Sequence, residues 1–111
     1  MDKTATELFA EFLEFTDFAL IKNEDGSFSL RDLQGANLGN IESDCFDNGG
    51  EILERMDIYI KDYLLEDEEW GSYDSCEDAL QKYPDHPCKE MLEMIVYHSD
   101  EINLNEVPLM A

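Results

Sequence analysis

The sequence predicts an α+β fold, in which an N-terminal helix and a small antiparallel sheet of two or three strands precede three helices. Three observations predict it. Apolar residues recur at helical spacing near the start, two short apolar runs then flank a turn-forming stretch, and helical periodicity returns from about residue 50. The 111 residues are the length of one acidic domain, with a less regular tail expected from about residue 99.

The first helix is expected at residues 4–16. Thr4 and Glu7 have the spacing of a capping box, in which a hydroxyl and a carboxylate each accept a hydrogen bond from a free amide. Behind them, apolar side chains repeat every three or four positions, and acidic side chains fall on the opposite side. The expected inward side chains are Ala5, Leu8, Phe9, Phe12 and either Phe15 or Thr16.

A β-hairpin is expected next, with strands near residues 18–21 and 27–30. The connection between them, residues 23–26, contains Asn, Asp and Gly, which tolerate the positive φ angles of a hairpin turn. A third strand is expected near residues 37–42, because Leu38 and Ile41 follow several turn-forming residues.

The longest periodic segment predicts a helix at residues 50–65. Asn48 precedes it in the position of an N-cap, where a side-chain oxygen accepts a hydrogen bond from the first turn. The expected inward side chains are Ile52, Met56, Tyr59, Ile60, Tyr63 and Leu64. The acids expected on the opposite face are Glu51, Glu54, Asp62 and Glu66.

Two shorter helices are expected near residues 76–83 and 87–98. Ser75 opens the first of them with the spacing of a capping box. Pro87 suits the first turn of the second helix, where a missing amide has no cost. The expected cap of this last helix is Asp85 or His86. The expected inward side chains are Ala79, Leu80, Tyr83, Cys88, Met91, Leu92 and Ile95.

The acid content of the chain excludes several classes of partner. There are 28 Asp and Glu residues against 7 Lys and Arg, which gives a formal net charge of −21 at pH 7. A protein that binds DNA or RNA directly needs cations against the phosphates, and an anionic membrane surface repels this chain for the same reason. The 43% hydrophobic content is nevertheless sufficient for a folded core. The expected partner is therefore a basic protein.

The cysteines and the first residues predict a cytoplasmic protein, in a bacterium or in the host cell of a phage. The chain has 3 cysteines, an odd number without the pattern of a small secreted domain, which favours free thiols in a reducing compartment. No signal peptide is expected, because no basic start is followed by an apolar core. No apolar run approaches the ~20 residues of a membrane span.

The charge is concentrated between Glu42 and Asp78, where 14 acids stand against Arg55 and Lys61. Acids three or four positions apart on a helix are separated by about 4.5–6 Å along the axis, and phosphates of one DNA strand recur every ~3.4 Å. These spacings are comparable but do not coincide, so acids on such a helix and its following loop can present phosphate-like charges to a DNA-binding site. Neighbouring Tyr and Trp supply contact area and stack with Arg. The candidate partner-binding residues are Glu54, Asp62, Glu66, Asp67, Glu68, Glu69, Trp70, Tyr73 and Asp74.

Each of these features also has an ordinary structural interpretation. An acidic run is often only a solvated surface that keeps a protein soluble. Tyr59 and Tyr63 fit the apolar stripe of the long helix and are therefore expected in the core. Trp70 follows no clear periodicity, so it is either an interface residue or a lid over the core.

No metal, cofactor or catalytic site is expected. The residues of zinc-binding type are Cys45, Cys76, His86 and Cys88. They contain no CxxC pair, and buried cysteine is the simpler interpretation. Asp44, Asp47 and Asn48 lack the ligand spacing of a calcium-binding EF-hand loop. The chain also has no nucleophile elbow, HExxH motif or phosphate-binding glycine loop, so it is not expected to be an enzyme.

The small size, the acidity and the aromatic-acidic segment from Tyr59 to Asp78 resemble the small acidic proteins of phages and mobile elements. That group includes DNA-mimic inhibitors of the anti-restriction and anti-CRISPR type. The resemblance lies in the charge layout, and it implies an inhibitor that occupies the basic nucleic-acid-binding surface of a target such as a nuclease. Two alternatives are an immunity or antitoxin protein that blocks a basic toxin, and an accessory protein of a mobile element.

Overall fold

The fold is that of a computed structural model. The structure describes residues 3–33, 45–67, 71–86 and 88–107. The architecture is the predicted α+β arrangement of an N-terminal helix, an antiparallel hairpin and several later helices. The helices are α1 (Ala5–Phe15), α2 (Gly49–Arg55), α3 (Asp57–Ile60), α4 (Cys76–Lys82) and α5 (Lys89–Tyr97). The strands are β1 (Phe18–Lys22), β2 (Phe28–Asp32), β3 (Glu66–Asp67) and β4 (Gly71–Ser72).

Helix α1 begins with the predicted capping box. The Glu7 amide donates to Thr4 Oγ1 at 3.1 Å, and the Thr4 amide donates to the Glu7 carboxylate at 3.2 Å. At the other end, Thr16 is the buried residue and Phe15 is 46% exposed. The Thr16 hydroxyl donates to the Phe12 carbonyl at 2.9 Å, which keeps this polar group satisfied inside the protein. Asp17, with φ of 59°, then turns the chain into β1.

Strands β1 and β2 form the predicted hairpin, with Leu20 opposite Leu30. In the turn, Gly26 has φ of 93° and the Asp25 carboxylate accepts bonds from the Ser27 hydroxyl and amide. These two bonds hold the pKa of the Asp25 carboxyl below its usual 3.8. The third strand predicted at residues 37–42 lies outside the described residues. Phe46 makes a single antiparallel bridge to Phe28.

The long predicted helix is divided into α2, α3 and a π-helical turn at Lys61–Leu65. Asn48 caps it as predicted, since Asn48 Oδ1 accepts from the Glu51 amide at 2.9 Å. Met56, with φ of −94° and ψ of 20°, separates α2 from α3. Met56 bonds to both helices, because its amide donates to the Ile52 carbonyl at 3.0 Å and its carbonyl accepts from the Ile60 amide at 3.0 Å.

The inward face of this helix is confirmed at five of its predicted positions and wrong at Tyr63. The buried members are Ile52, Met56, Tyr59, Ile60 and Leu64. Tyr63 is 38% exposed. Tyr59 packs edge to face against buried Phe18, whereas Tyr63, one turn further on, packs against Phe15 at the exposed end of α1. Tyr63 is therefore covered on one side only.

Ser75 caps helix α4, since the Asp78 amide donates to Ser75 Oγ at 3.1 Å. The second half of the predicted capping box differs, because the Asp78 carboxylate accepts from the Asp74 amide at 3.2 Å. The prediction that Tyr83 faces the core is wrong. Helix α4 ends at Lys82, and Tyr83 has φ of −136° and ψ of 83°, so helical periodicity no longer places its ring, which is 39% exposed. Ala79 is fully buried as predicted.

The start of α5 differs from the prediction. The helix begins at Lys89 after Cys88, and neither Asp85 nor His86 is its cap. A backbone turn precedes the helix, in which the Lys89 amide donates to the His86 carbonyl at 2.9 Å. The ring of His86 is buried, and its Nδ1 accepts from the Cys88 amide at 3.0 Å. Pro87 lies outside the described residues.

The core joins α1, the hairpin, the long helix and α5. Its fully buried large side chains are Phe9, Phe12, Leu20, Leu30, Ile52, Met56, Leu64, Leu92 and Met94. The tail packs back onto this core through Ile102, Leu104 and Val107. The Asn103 amide donates to Thr6 Oγ1 at 2.9 Å, which ties the tail to the first turn of α1.

Gly49 is the point where the tail meets α2, and it provides a stability test. A Cβ at this position comes within 2.7 to 2.9 Å of three Ile102 side-chain atoms, whereas among the described residues a Cβ on Gly50 meets Asn48 Oδ1 alone, at 3.2 Å. We expect Gly49→Ala to lower the free energy of unfolding by about 1–3 kcal/mol, because the backbone must move. Gly50→Ala is the matched control and should change it by less than about 1 kcal/mol. Urea unfolding measures both, and equal effects would contradict the close approach.

A membrane-crossing helix is not found in the part of the chain that the structure describes. Each described helix is too short, or not apolar enough, to cross a bilayer.

Candidate partner-binding surface

The predicted acids occupy the outer side of the long helix and the segment after it. Glu54 lies on α2, Asp62 lies in the π-helical turn and Glu66 begins β3, and all three are exposed. Asp74 is also exposed, just before α4. Asp67 is the second residue of β3. The remaining candidates lie outside the described residues: Glu68, Glu69 and Trp70.

Exposed side chains follow one another along the divided helix. Glu54, Ile58 and Asp62 form a row at four-residue spacing, which crosses the joint at Met56 and enters the π-helical turn. Ile58 is 63% exposed within this row. We call the exposed acids of this segment the acidic ridge. Its members are Glu51, Glu54, Asp57, Asp62 and Glu66.

Three acids of the ridge, Glu54, Asp62 and Glu66, form no ion pair with another described residue. The Glu51 carboxylate is engaged at the start of α2, where it accepts a hydrogen bond from the Asp47 amide at 2.9 Å. Within the described ranges, no Lys or Arg forms an ion pair with Glu54, Asp62 or Glu66. Lysines pair with acids elsewhere: Lys3 with Glu11 at 2.8 Å and Lys82 with Asp78 at 3.3 Å.

A short hairpin after the helix was not predicted. Strands β3 and β4 pair antiparallel, with Glu66 opposite Ser72 and Asp67 opposite Gly71. The Tyr73 amide donates to the Leu65 carbonyl at 3.1 Å, which extends the pairing by one step. The two ends of the acidic segment 66–72 are therefore held side by side next to the end of the helix.

Tyr73 lies beneath this hairpin and not on the surface. Its side chain is 6% exposed, and its ring packs edge to face against Tyr83 and His86, with centroid distances of 5.7 and 6.2 Å. Lys82 Nζ lies 5.9 Å from the centroid of the same ring. Tyr73 thus anchors β4 to α4, and in this conformation its ring offers little area to a partner.

An exposed pair of aromatic rings adjoins the acidic ridge, and the sequence did not single it out. Phe15 and Tyr63 pack edge to face, with centroids 5.5 Å apart and planes at 67°. They are 46% and 38% exposed. The one signal in the sequence was the ambiguity between Phe15 and Thr16 as the inward residue of α1. Asp62 directly precedes Tyr63, so ring and acid are chain neighbours.

The structure gives no metal site among the residues it describes. No group of three or more His, Cys, Asp and Glu side chains is placed there to hold an ion. The zinc-type residues are differently buried: Cys45 is exposed, Cys76 is buried and Cys88 is intermediate. Of the calcium-type residues, Asn48 is engaged as a helix cap and Asp44 lies outside the described residues.

The cysteines allow a test of the burial around α4. Burial raises the pKa of the Cys76 thiol to about 11, from 9.0. Because the thiolate is the reactive form, we expect Cys76 to resist alkylation by iodoacetamide at pH 8 until the protein unfolds. Exposed Cys45 should react in the folded protein. Mass spectrometry of a Cys88→Ser variant after timed alkylation measures both rates, and equal rates would contradict the burial.

The same shift has a consequence for stability at high pH. A pKa that is raised by folding means that the folded state favours the neutral thiol. This contribution to stability is fully present below pH 9 and is lost as the pH rises through about 11. Cys76→Ala should remove that part of the pH dependence.

Comparisons of this chain with protein-family models, with curated proteins and with solved structures gave no match.

Proposed function

We propose that this protein binds a basic protein through the acidic ridge and occupies the surface with which that partner holds nucleic acid. The observation that carries the proposal is the row of exposed acids Glu54, Asp62 and Glu66, which have no ion pair within the described part of the chain. A row of uncompensated like charges attracts a surface of opposite charge over long distances. The protein acts in this proposal as an inhibitor by binding, without a catalytic step.

The spacing of the acids supports competition with nucleic acid. From Glu51 to Asp62, successive acids of the ridge are three to five residues apart, or about 4.5–7.5 Å along a helix axis. This is of the same order as the spacing of phosphates, which recur every ~3.4 Å along each DNA strand. The same cationic side chains of the partner can therefore pair with the ridge or with DNA, but not with both. We place this encounter in a reducing cytoplasm, in keeping with the exposed thiol of Cys45.

The proposal is tested by capture and competition. The immobilised protein is exposed at low salt to a lysate of the source organism or of its host, and bound protein is eluted with duplex DNA of increasing concentration. We expect a basic nucleic-acid-binding protein to be released by the DNA, and to be released also by salt. A captured partner that stays on the protein while it binds DNA would contradict the proposal.

A second candidate function is an immunity or antitoxin protein that blocks a basic toxin without imitating DNA. The exposed side chain of Ile58, in the middle of the acidic ridge, favours it, since an apolar contact has no counterpart in a phosphate row. In that case Ile58→Ser weakens binding more than Glu54→Gln combined with Asp62→Asn. Mimicry of DNA predicts the opposite order of effects.

A further inference from the structure

We propose that the exposed rings of Phe15 and Tyr63 receive an arginine side chain of the basic partner. This inference rests on the proposed function and adds to it the chemistry of one contact. We call Phe15 and Tyr63 the aromatic pair. It joins the end of α1 to the π-helical turn, directly beside the acidic ridge.

The geometry of the aromatic pair is suited to a flat cation. The two rings meet edge to face at 5.5 Å, so one ring edge points at the other ring and ring surface remains accessible on the outside. Both residues keep more than a third of their surface exposed. Phe18 on β1 and Tyr59 on α3, three and four residues away in the chain, form a buried pair with the same edge-to-face arrangement. The exposed pair thus lies where α1 and the long helix are already joined by buried aromatic packing.

Exposed acidic residues lie close in the chain to both members of the aromatic pair. Exposed Glu14 precedes Phe15 in the chain, exposed Asp62 precedes Tyr63, and Glu66 follows three residues later. A guanidinium group can lie flat on a ring and still direct its N–H groups to a carboxylate. The ammonium group of lysine is compact and strongly hydrated, and it uses a ring face less well. The combination of rings and acids thus favours arginine over lysine.

The charge balance disfavours other occupants. A second copy of this chain brings another net charge of −21 to the same place. Nucleic acid is repelled for the same reason. A neutral apolar segment would cover the rings but would leave the neighbouring carboxylates without a counter-charge. A basic segment of another protein satisfies both features.

The test uses two fluorescent peptides, an octamer of arginine and an octamer of lysine, and measures binding by anisotropy at fixed ionic strength. We expect the arginine peptide to bind more tightly. We expect Phe15→Leu combined with Tyr63→Leu to reduce that preference by about two- to fivefold, the range for an exposed cation–π contact. Tyr63→Phe keeps the ring and should keep the preference. The matched control is Tyr97→Leu, which removes an aromatic side chain of 58% exposure from α5.

The outcomes separate this inference from the proposed function. An arginine preference that is unchanged in the double leucine variant overturns the inference. In that case the proposed function is still supported if neutralising the acidic ridge abolishes the binding of both peptides. Unchanged binding of both peptides after Glu54→Gln, Asp62→Asn and Glu66→Gln overturns the proposed function. Urea unfolding shows whether each variant is folded. If the double variant is not, Phe15→Leu alone provides the comparison.

Discussion

Replacement of Glu54, Asp62 and Glu66 by Gln, Asn and Gln is expected to weaken binding of the captured basic partner by up to about 100-fold. Each substitution keeps the size of the side chain and removes one charge that is exposed and has no ion pair within the described residues. One ion pair of this kind contributes up to about 1 kcal/mol, so three contribute up to about 3 kcal/mol, which corresponds to roughly 100-fold in the dissociation constant. The dependence of binding on salt should become shallower as well.

A matched control distinguishes the ridge from the net charge. The control variant combines Glu24→Gln, Glu90→Gln and Asp100→Asn. It also removes three negative charges, but from exposed positions outside the ridge. They should change the affinity only a few-fold, through the long-range field. Lys61 is an exposed cation within the ridge segment, and Lys61→Gln should strengthen binding. If both triple variants weaken binding equally, the charge acts without a defined surface.

The second large effect is expected at Tyr73. Tyr73→Ala should lower the free energy of unfolding by about 3–5 kcal/mol, as other buried aromatic truncations do. The reason is the packing of this ring, which is 6% exposed, between Tyr83 and His86. It should also loosen the β3–β4 hairpin, because the ring that is removed anchors the residue directly after β4 against Tyr83 and His86. Urea unfolding followed by circular dichroism provides the measurement.

Two companion variants interpret the Tyr73 result. Tyr73→Phe keeps the ring and should retain most of the stability, and Tyr83→Ala removes a ring that is 39% exposed and should cost less. A stable Tyr73→Ala protein that has lost its partner would assign Tyr73 to the interface, as the sequence suggested. A destabilised protein would instead assign Tyr73 to the packing that supports the β3–β4 hairpin.

Local chemistry made much of the fold predictable. The Thr4–Glu7 capping box, the Asn48 cap and the Ser75 cap each depend on residues within three positions, and all three are present. The hairpin depends on the turn at residues 23–26, where Gly26 does have positive φ. These features follow from short-range hydrogen bonds that a sequence displays directly.

Features that depend on distant contacts were not predictable. Tyr63 shares the periodicity of the core residues, and it is exposed because α1 ends beside it, which no local pattern reports. Tyr83 is exposed because α4 ends one residue earlier. The division of the long helix at Met56 and the β3–β4 pairing likewise depend on the packing of the whole domain.

The same contrast between local features and long-range contacts applies to the candidate site. The exposure of Glu54, Asp62 and Glu66 could be predicted, because a charged carboxylate is costly to bury and these positions face away from the apolar stripe. The burial of Tyr73 and the meeting of Phe15 with Tyr63 could not, since each joins two separate elements. Charge placement was thus predictable, whereas the aromatic contribution to the surface required the tertiary structure.

The most direct test of the central claim is whether the captured partner binds this protein and DNA at the same time. Purified partner is mixed with a fluorescent duplex, and sedimentation velocity is recorded as this protein is added. The proposal predicts that free duplex appears in proportion to the protein added, with no species that contains all three components. A stable ternary complex, in which the duplex stays bound, would contradict the proposed occupation of a nucleic-acid-binding surface.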